Sequence, residues 1–217
     1  MKGFTLKEAF DAIEIPIYAQ AEIRKCYGEP HRAYHGIGHL EEMLRWVPKD
    51  HPELRNVIEA ILYHDLVHSA APVAPGLDEA LSCAEYLAYT FTGIHHLNTG
   101  VTPFGPEGQG SLVNEIRVIE AINATSRHTE DQRHLCDVSK LVLDLDLSTF
   151  ALPWEEYTHW SELVMKELAA KHSDVPEELL ALGRHDFLFQ LNARHQLYYL
   201  KTEWETQARA NIEKTLS

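Results

Sequence analysis

Long apolar runs are missing from this chain. Nowhere do about 18 uncharged apolar residues follow one another, so a membrane-spanning helix is not expected. Cysteine is scarce: Cys26, Cys83 and Cys136 are an odd number without CxxC spacing, which excludes a disulfide framework and a zinc-cysteine site and reads as buried reduced thiols. Positive charge is short as well. Lys and Arg total 19 against 33 Asp and Glu, a formal charge of −14, which disfavours gripping nucleic-acid phosphates or an anionic membrane with a basic surface. The expected partner is a small molecule or a protein. The opening MKGFTLKEAFDAIEI has no cationic stretch ahead of an apolar core, so no secretory leader is read there and a cytoplasmic location is the default. Strict two-residue alternation and fixed-period repeats are also absent, leaving sheets and solenoids without support.

What is present is apolar periodicity at three- and four-residue steps, in 217 residues of which 45% are apolar. One all-α domain with a full-sized core is the simplest expectation. The pattern predicts helices from Pro16 to Gly28, Tyr34 to Trp46, Pro52 to His64, Asp78 to Thr92, Leu112 to Thr125, Trp154 to Lys171, Glu177 to Tyr199 and Glu203 to Leu216. Between them GIHHLNTGVTPFGPEGQG, about residues 93–110, is too long and too broken for an ordinary connection, and a mobile surface loop is expected there.

Fourteen histidines need an account. Three apolar segments carry metal-binding side chains: Tyr34-His35-Gly36-Ile37-Gly38-His39, Leu62-Tyr63-His64-Asp65 and Leu143-Asp144-Leu145-Asp146-Leu147. Burying a His-Asp pair among such neighbours is expensive without a compensating charge, and a divalent cation supplies one. Mixed imidazole and carboxylate donors suit Mn, Fe, Co, Ni or Zn, with Mg less comfortable. His35 and His39, four apart, are expected on one side of one helix, one toward metal and the other toward substrate.

The order His39, His64-Asp65, Asp146 matches the H…HD…D signature of the HD superfamily of metal-dependent phosphohydrolases. The stretches YGEPHRAYH, ILYHDLV, DEALSCAEYL, INATSRH, LVLDLDLS and ARANIEKTL, spanning about residues 27–216, resemble its branch of predicted HD phosphohydrolases from bacteria and phages. The resemblance implies an HD-type helical bundle, a metal-site core at about 27–150 with C-terminal helices 154–216 packed on it, and one metal held by His39, His64, Asp65 and Asp146. In helical phosphodiesterases with a similar element the second His binds metal and the first protonates the leaving oxygen, which makes His35 the candidate general acid. Related ADLS and ADRL elements favour Asp146 over Asp144, which is expected beside the ligands. The implied substrate is a small phosphorylated compound, a nucleotide above all.

Around this set, Glu79 is a candidate for orienting the attacking water, with a helix-dipole role as the plain alternative. Asp78 and Glu79 resemble an acidic pair that in this family is followed by a small residue and Ala; the corresponding positions here are Ser82 and Cys83, so Cys stands in place of Ala. His128 is a candidate for phosphate contact or a second metal, against a solvated histidine. Arg32, Arg184 and Arg194 are candidates for the substrate phosphate, each against a structural ion pair. Tyr34, Tyr63 and Trp46 are weighed as a base-stacking surface against plain core packing. His68 is read as a neighbour on the His64 helix, His95 and His96 as an exposed loop pair, and the second HD pair, His185-Asp186, as solvent-facing helix. The rival readings are an HD-fold di-iron oxygenase, which would draw on His68, His128 and His134, and a non-catalytic nucleotide-sensing module. Self-association is left open.

Overall fold

The computed structural model describes residues 3–92 and 112–217, and all regular structure in them is helical. The loop expected at 93–110, with His95 and His96, lies outside the described residues. Among the described residues ten α-helices follow one another: α1 Leu6–Ala12, α2 Ile17–Tyr27, α3 Ile37–Arg45, α4 Leu54–Tyr63, α5 Leu77–Thr92, α6 Leu112–Thr125, α7 Asp137–Asp146, α8 Trp154–Lys171, α9 Glu177–Ala193 and α10 Glu205–Leu216. None of the described helices is long and apolar enough to cross a membrane.

Helix α4 is the central rod. Val57, Ile58, Ala60, Ile61, Leu62 and Tyr63 are fully buried, because α3, α5, α6 and α7 all pack around it. Each buried Ile or Leu there contributes about 1.5–3 kcal/mol relative to exposure. This first core takes in α1 to α7; α1 itself opens on a Thr5–Glu8 capping box. A second core gathers Leu147, Phe150 and Tyr157 with Leu188, Leu191, Tyr198 and Ile212 of the C-terminal elements. Trp204 packs against both cores, and Asn211 ties α10 to the Phe150 and Leu152 carbonyls at 2.8 Å each.

Several predicted boundaries move, two of them for a tertiary reason. Helix α3 starts at Ile37 and not at Tyr34, because the backbone N–H groups of Tyr34 and His35 donate to Glu167 and not into a helix. Gly36 precedes it where a Cβ would lie 3.3 Å from the Arg32 carbonyl oxygen and 3.4 Å from that of Tyr27. Helix α4 stops at Tyr63, directly before the HD pair and one residue short of the predicted end. Helix α9 ends at Ala193 and not Tyr199: Glu205 accepts the N–H groups of Leu197 and Tyr198, and Asp144 accepts those of Tyr199, Leu200 and Lys201.

Candidate metal centre

The end of α4 sets the chemistry of its first ligand. As the C-cap, His64 donates Nδ1–H to the Ile61 carbonyl at 2.8 Å, using one of the helix's unpaired terminal carbonyls. That bond fixes the tautomer and turns the Nε2 lone pair toward the carboxylates. His64 Nε2 lies 2.9 Å from Asp65 Oδ2 and 3.8 Å from Asp146 Oδ1, yet it makes no hydrogen bond and is buried. His39, from α3, reaches the same place, with Nε2 at 2.9 Å from Asp146 Oδ1. The ligand atoms of His39, His64 and Asp65 all lie within 4.8 Å of one another. An orphaned nitrogen facing two carboxylates calls for a cation between them, so the donor set fits a divalent ion.

Burial and the neighbouring carboxylates pull the two imidazoles in opposite directions. Burial opposes the charged form of His64, but Asp65 and Asp146 overcome it and push the pKa up to about 9. For His39 burial prevails over Asp146 and the pKa is lowered. Burial would raise both carboxylates; His64 and His35 hold Asp65 below its ordinary value, and His128, His39 and His64 do so for Asp146.

His128, just past α6, brings Nε2 to 2.8 Å from Asp146 Oδ2, the oxygen that His39 leaves free. It therefore sits at the candidate metal centre and orients the Asp146 carboxylate. His35 does not share a helix with His39, since Gly36 caps α3 between them. It still faces the site from the preceding turn, with Nε2 3.9 Å from Asp65 Oδ2 and its ring 5.7 Å from that of His39. Its Nδ1 is bonded to Glu167 Oε1. Burial works against its charged form, but Asp65, Glu167 and Asp146 raise the pKa.

Glu167, from α8, joins the candidate site although no motif marked it. Its Oε2 accepts from Tyr34 N at 2.8 Å and His35 N at 3.1 Å, and its Oε1 also lies 3.0 Å from His68 Nε2. Although burial raises its pKa, His35, His68 and the Tyr34 N–H hold it far below the ordinary carboxylate range. His68 is accordingly not a neighbour on the His64 helix: it lies in the stretch beyond α4 and belongs to this second group.

Two adjoining cavities open on the centre and share His35, Asp65, Glu79 and Val164. One, of about 250 Å³, is walled by Tyr34, Phe150, Phe187 and Arg184 beside Asp146 and His128. The other, of about 350 Å³, runs between Pro72–Gly76 and the Leu168, Lys171 and His172 end of α8. Arg184 is sandwiched 5.5 Å from the Phe150 ring centre and 5.2 Å from that of Phe187, with a buried Nε that makes no hydrogen bond. The residue lines the cavity, where its guanidinium places a positive charge that suits a phosphate.

The other two arginines do different work. Arg32 is spent on the Asp65 and Leu66 carbonyls, at 2.5 and 2.9 Å, and on Glu29, so it positions the HD segment and is not turned to substrate. Arg194 donates to the His128 carbonyl at 2.7 Å and to the Tyr199 hydroxyl, in a separate depression with Arg133 and His195. Asp144 is not beside the ligands; burial raises its pKa to about 6 despite its three backbone donors, and it anchors residues 199–201. Tyr63 packs on Tyr86 in the core and Trp46 on Trp204, which leaves Tyr34 alone of the three aromatics at a cavity wall. His185 and Asp186 are exposed on α9, and His134 is exposed. Asp78 holds Ser69 through N–H and hydroxyl bonds of 3.0 and 2.6 Å. Cys26 and Cys83 are buried free thiols, and Cys136 is half-buried. Comparisons with protein-family models, curated proteins and solved structures give no match.

Proposed function

We propose that the chain is an HD-type metal-dependent phosphohydrolase that cleaves a phosphate ester or anhydride, with a nucleotide as the substrate class. The observation that carries this reading is the buried Nε2 of His64, oriented by the Ile61 carbonyl and aimed at Asp65 and Asp146 beside a cavity that holds Arg184. His39, His64, Asp65 and Asp146 would hold one divalent ion. Bound there, the ion supplies Lewis acidity, making water a nucleophile at neutral pH and offsetting charge on the phosphoryl group.

The protein's own groups do the rest. Arg184, on the wall of the cavity, pairs its guanidinium with a phosphate oxygen. His35, held through Nδ1 by Glu167 and facing Asp65 with Nε2, gives the Nε2 proton to the departing oxygen. Glu79, on the shared wall of both cavities, orients the attacking water. Tyr34, Phe150 and Phe187 offer an apolar wall to the base or sugar. An acidic protein is no obstacle, because the ion and Arg184 provide positive charge locally.

The test is elemental analysis of the purified chain, followed by phosphate or pyrophosphate release from a nucleotide panel with Mn, Co, Ni, Mg or Zn. Release that disappears in Asp65→Ala supports the proposal. Iron with oxygen consumption and no phosphate release would replace it with the oxygenase, and tight binding of unchanged nucleotide with the sensing module.

A further inference from the structure

The His35, His68 and Glu167 group lies on the opposite edge of the His35 ring from the metal centre. Nε2 of His35 points toward Asp65, whereas Nδ1 meets Glu167 Oε1. Three ligand atoms converge at that edge: His35 Nδ1, His68 Nε2 and Glu167 Oε1, all within 4.8 Å of one another. They come from three separate elements, the turn before α3, the stretch after α4, and α8.

The diagnostic atom is His68 Nε2. It lies 3.0 Å from Glu167 Oε1, is itself buried, and forms no hydrogen bond, so its N–H or lone-pair direction passes beside the oxygen and not through it. His64 Nε2 stands in the same relation to Asp65 Oδ2 at 2.9 Å in the first centre. Ligand atoms about 2.0–2.2 Å from a shared cation lie about 3 Å apart when they subtend a right angle, and their lone pairs then point at the cation and not at each other. The Glu167 side chain is 7% exposed and that of His68 11%, a setting in which a carboxylate shared by two imidazoles needs a counter-charge. The 350 Å³ cavity borders the group, so water or substrate has access to complete a coordination sphere.

We propose that His35 Nδ1, His68 Nε2 and Glu167 Oε1 form a second divalent-cation site, separate from the His39, His64, Asp65 and Asp146 centre. A cation there takes the place of the proton between Nδ1 and Oε1. It leaves the remaining imidazole proton on His35 Nε2, the nitrogen that faces Asp65 and the first centre. Glu167 keeps its backbone bonds to Tyr34 and His35 through Oε2, so the site is braced before any ion arrives. The proposal stands on these three side chains and does not depend on phosphohydrolase activity.

Its test is titration of the full metal-free chain with Co²⁺ alone, following the visible absorption of the bound ion and checking stoichiometry by elemental analysis. The wild type is expected to take up two ions. His68→Gln and Glu167→Gln should each take up one, the latter retaining an oxygen for the two backbone donors, and Asp146→Asn should also take up one, with a different spectrum. Uptake of one ion by the wild type, unaltered in His68→Gln and lost in Asp146→Asn, overturns the second site and leaves the first intact. Uptake of one ion that survives Asp146→Asn but not His68→Gln upholds the second site and removes the first. No uptake by any form overturns both.

Discussion

His128 and His39 hold opposite oxygens of one carboxylate: Nε2 of His128 lies 2.8 Å from Asp146 Oδ2, and Nε2 of His39 lies 2.9 Å from Oδ1. Asp146 is thereby fixed in rotation as well as position, and a carboxylate oriented in this way presents one defined oxygen to an ion. His128→Ala should keep metal binding but weaken it about 10–100-fold, the usual cost of losing a partner that orients a ligand. His64→Ala and Asp146→Ala should abolish binding at this centre. Mn²⁺ titrations of the three variants separate the two outcomes, and a complete loss in His128→Ala would promote His128 to a ligand.

Arg184 gives a prediction of the opposite kind, since it touches no proposed ligand. Its guanidinium carbon lies 5.5 and 5.2 Å from the Phe150 and Phe187 ring centres, so Arg184→Met keeps an unbranched side chain beside the rings while removing the charge. A charge-assisted hydrogen bond is worth about 1.5–3 kcal/mol, so KM for a phosphorylated substrate should rise roughly 10- to 100-fold with metal content unchanged. Steady-state kinetics beside elemental analysis checks it. An unchanged KM would return Arg184 to a purely structural role.

The centre was legible because motif spacing survives without a structure: His39, His64-Asp65 and Asp146 are carried by short apolar elements whose periodicity is plain. Glu167 was not legible. In the acidic stretch around α8 it resembles any of 33 acids, and what distinguishes it is burial against a turn 132 residues earlier. The one signal available was its place three residues after Val164 and seven after Trp160, an acid in line with an apolar stripe. The end of α9 failed similarly. No Gly or Pro marks Ala193, and the helix stops because Asp144 and Glu205 capture the N–H groups beyond it. Arg32 and Arg194 show the limit of residue type: guanidinium suits phosphate, and it suits a backbone carbonyl equally well.

Arg32→Ala should act through the fold. The side chain is 1% exposed and satisfies the Asp65 and Leu66 carbonyls, which would otherwise face each other's surroundings without a donor. Removing a buried charged donor and leaving two carbonyl acceptors unpaired costs about 1–3 kcal/mol. Chemical denaturation should show that loss, and metal affinity should fall with it because the Asp65 segment is freed. A raised KM with unaltered stability and metal content would instead restore Arg32 as a substrate residue.

The Asp78 carboxylate predicts how the second cavity responds to acid. It accepts from Ser69 N and Oγ and lies 3.4 Å from Lys171 Nζ, so it fastens the stretch after His68 to both α5 and α8. Burial raises its pKa, but the Ser69 bonds and then Lys171 outweigh that, and the folded value is lower than the ordinary one. A group depressed in this sense binds its proton more readily in the unfolded chain, so it contributes stability above the unfolded pKa of about 3.9. That contribution declines as pH falls through the folded value. Asp78→Asn should therefore be less stable than wild type at pH 7, by about 1–2 kcal/mol for the weakened bonds, and the difference should shrink below about pH 4. Urea midpoints at pH 7 and pH 3 measure it. A gap that persists undiminished at pH 3 would mean that the carboxylate's charge is not what holds Ser69 in place.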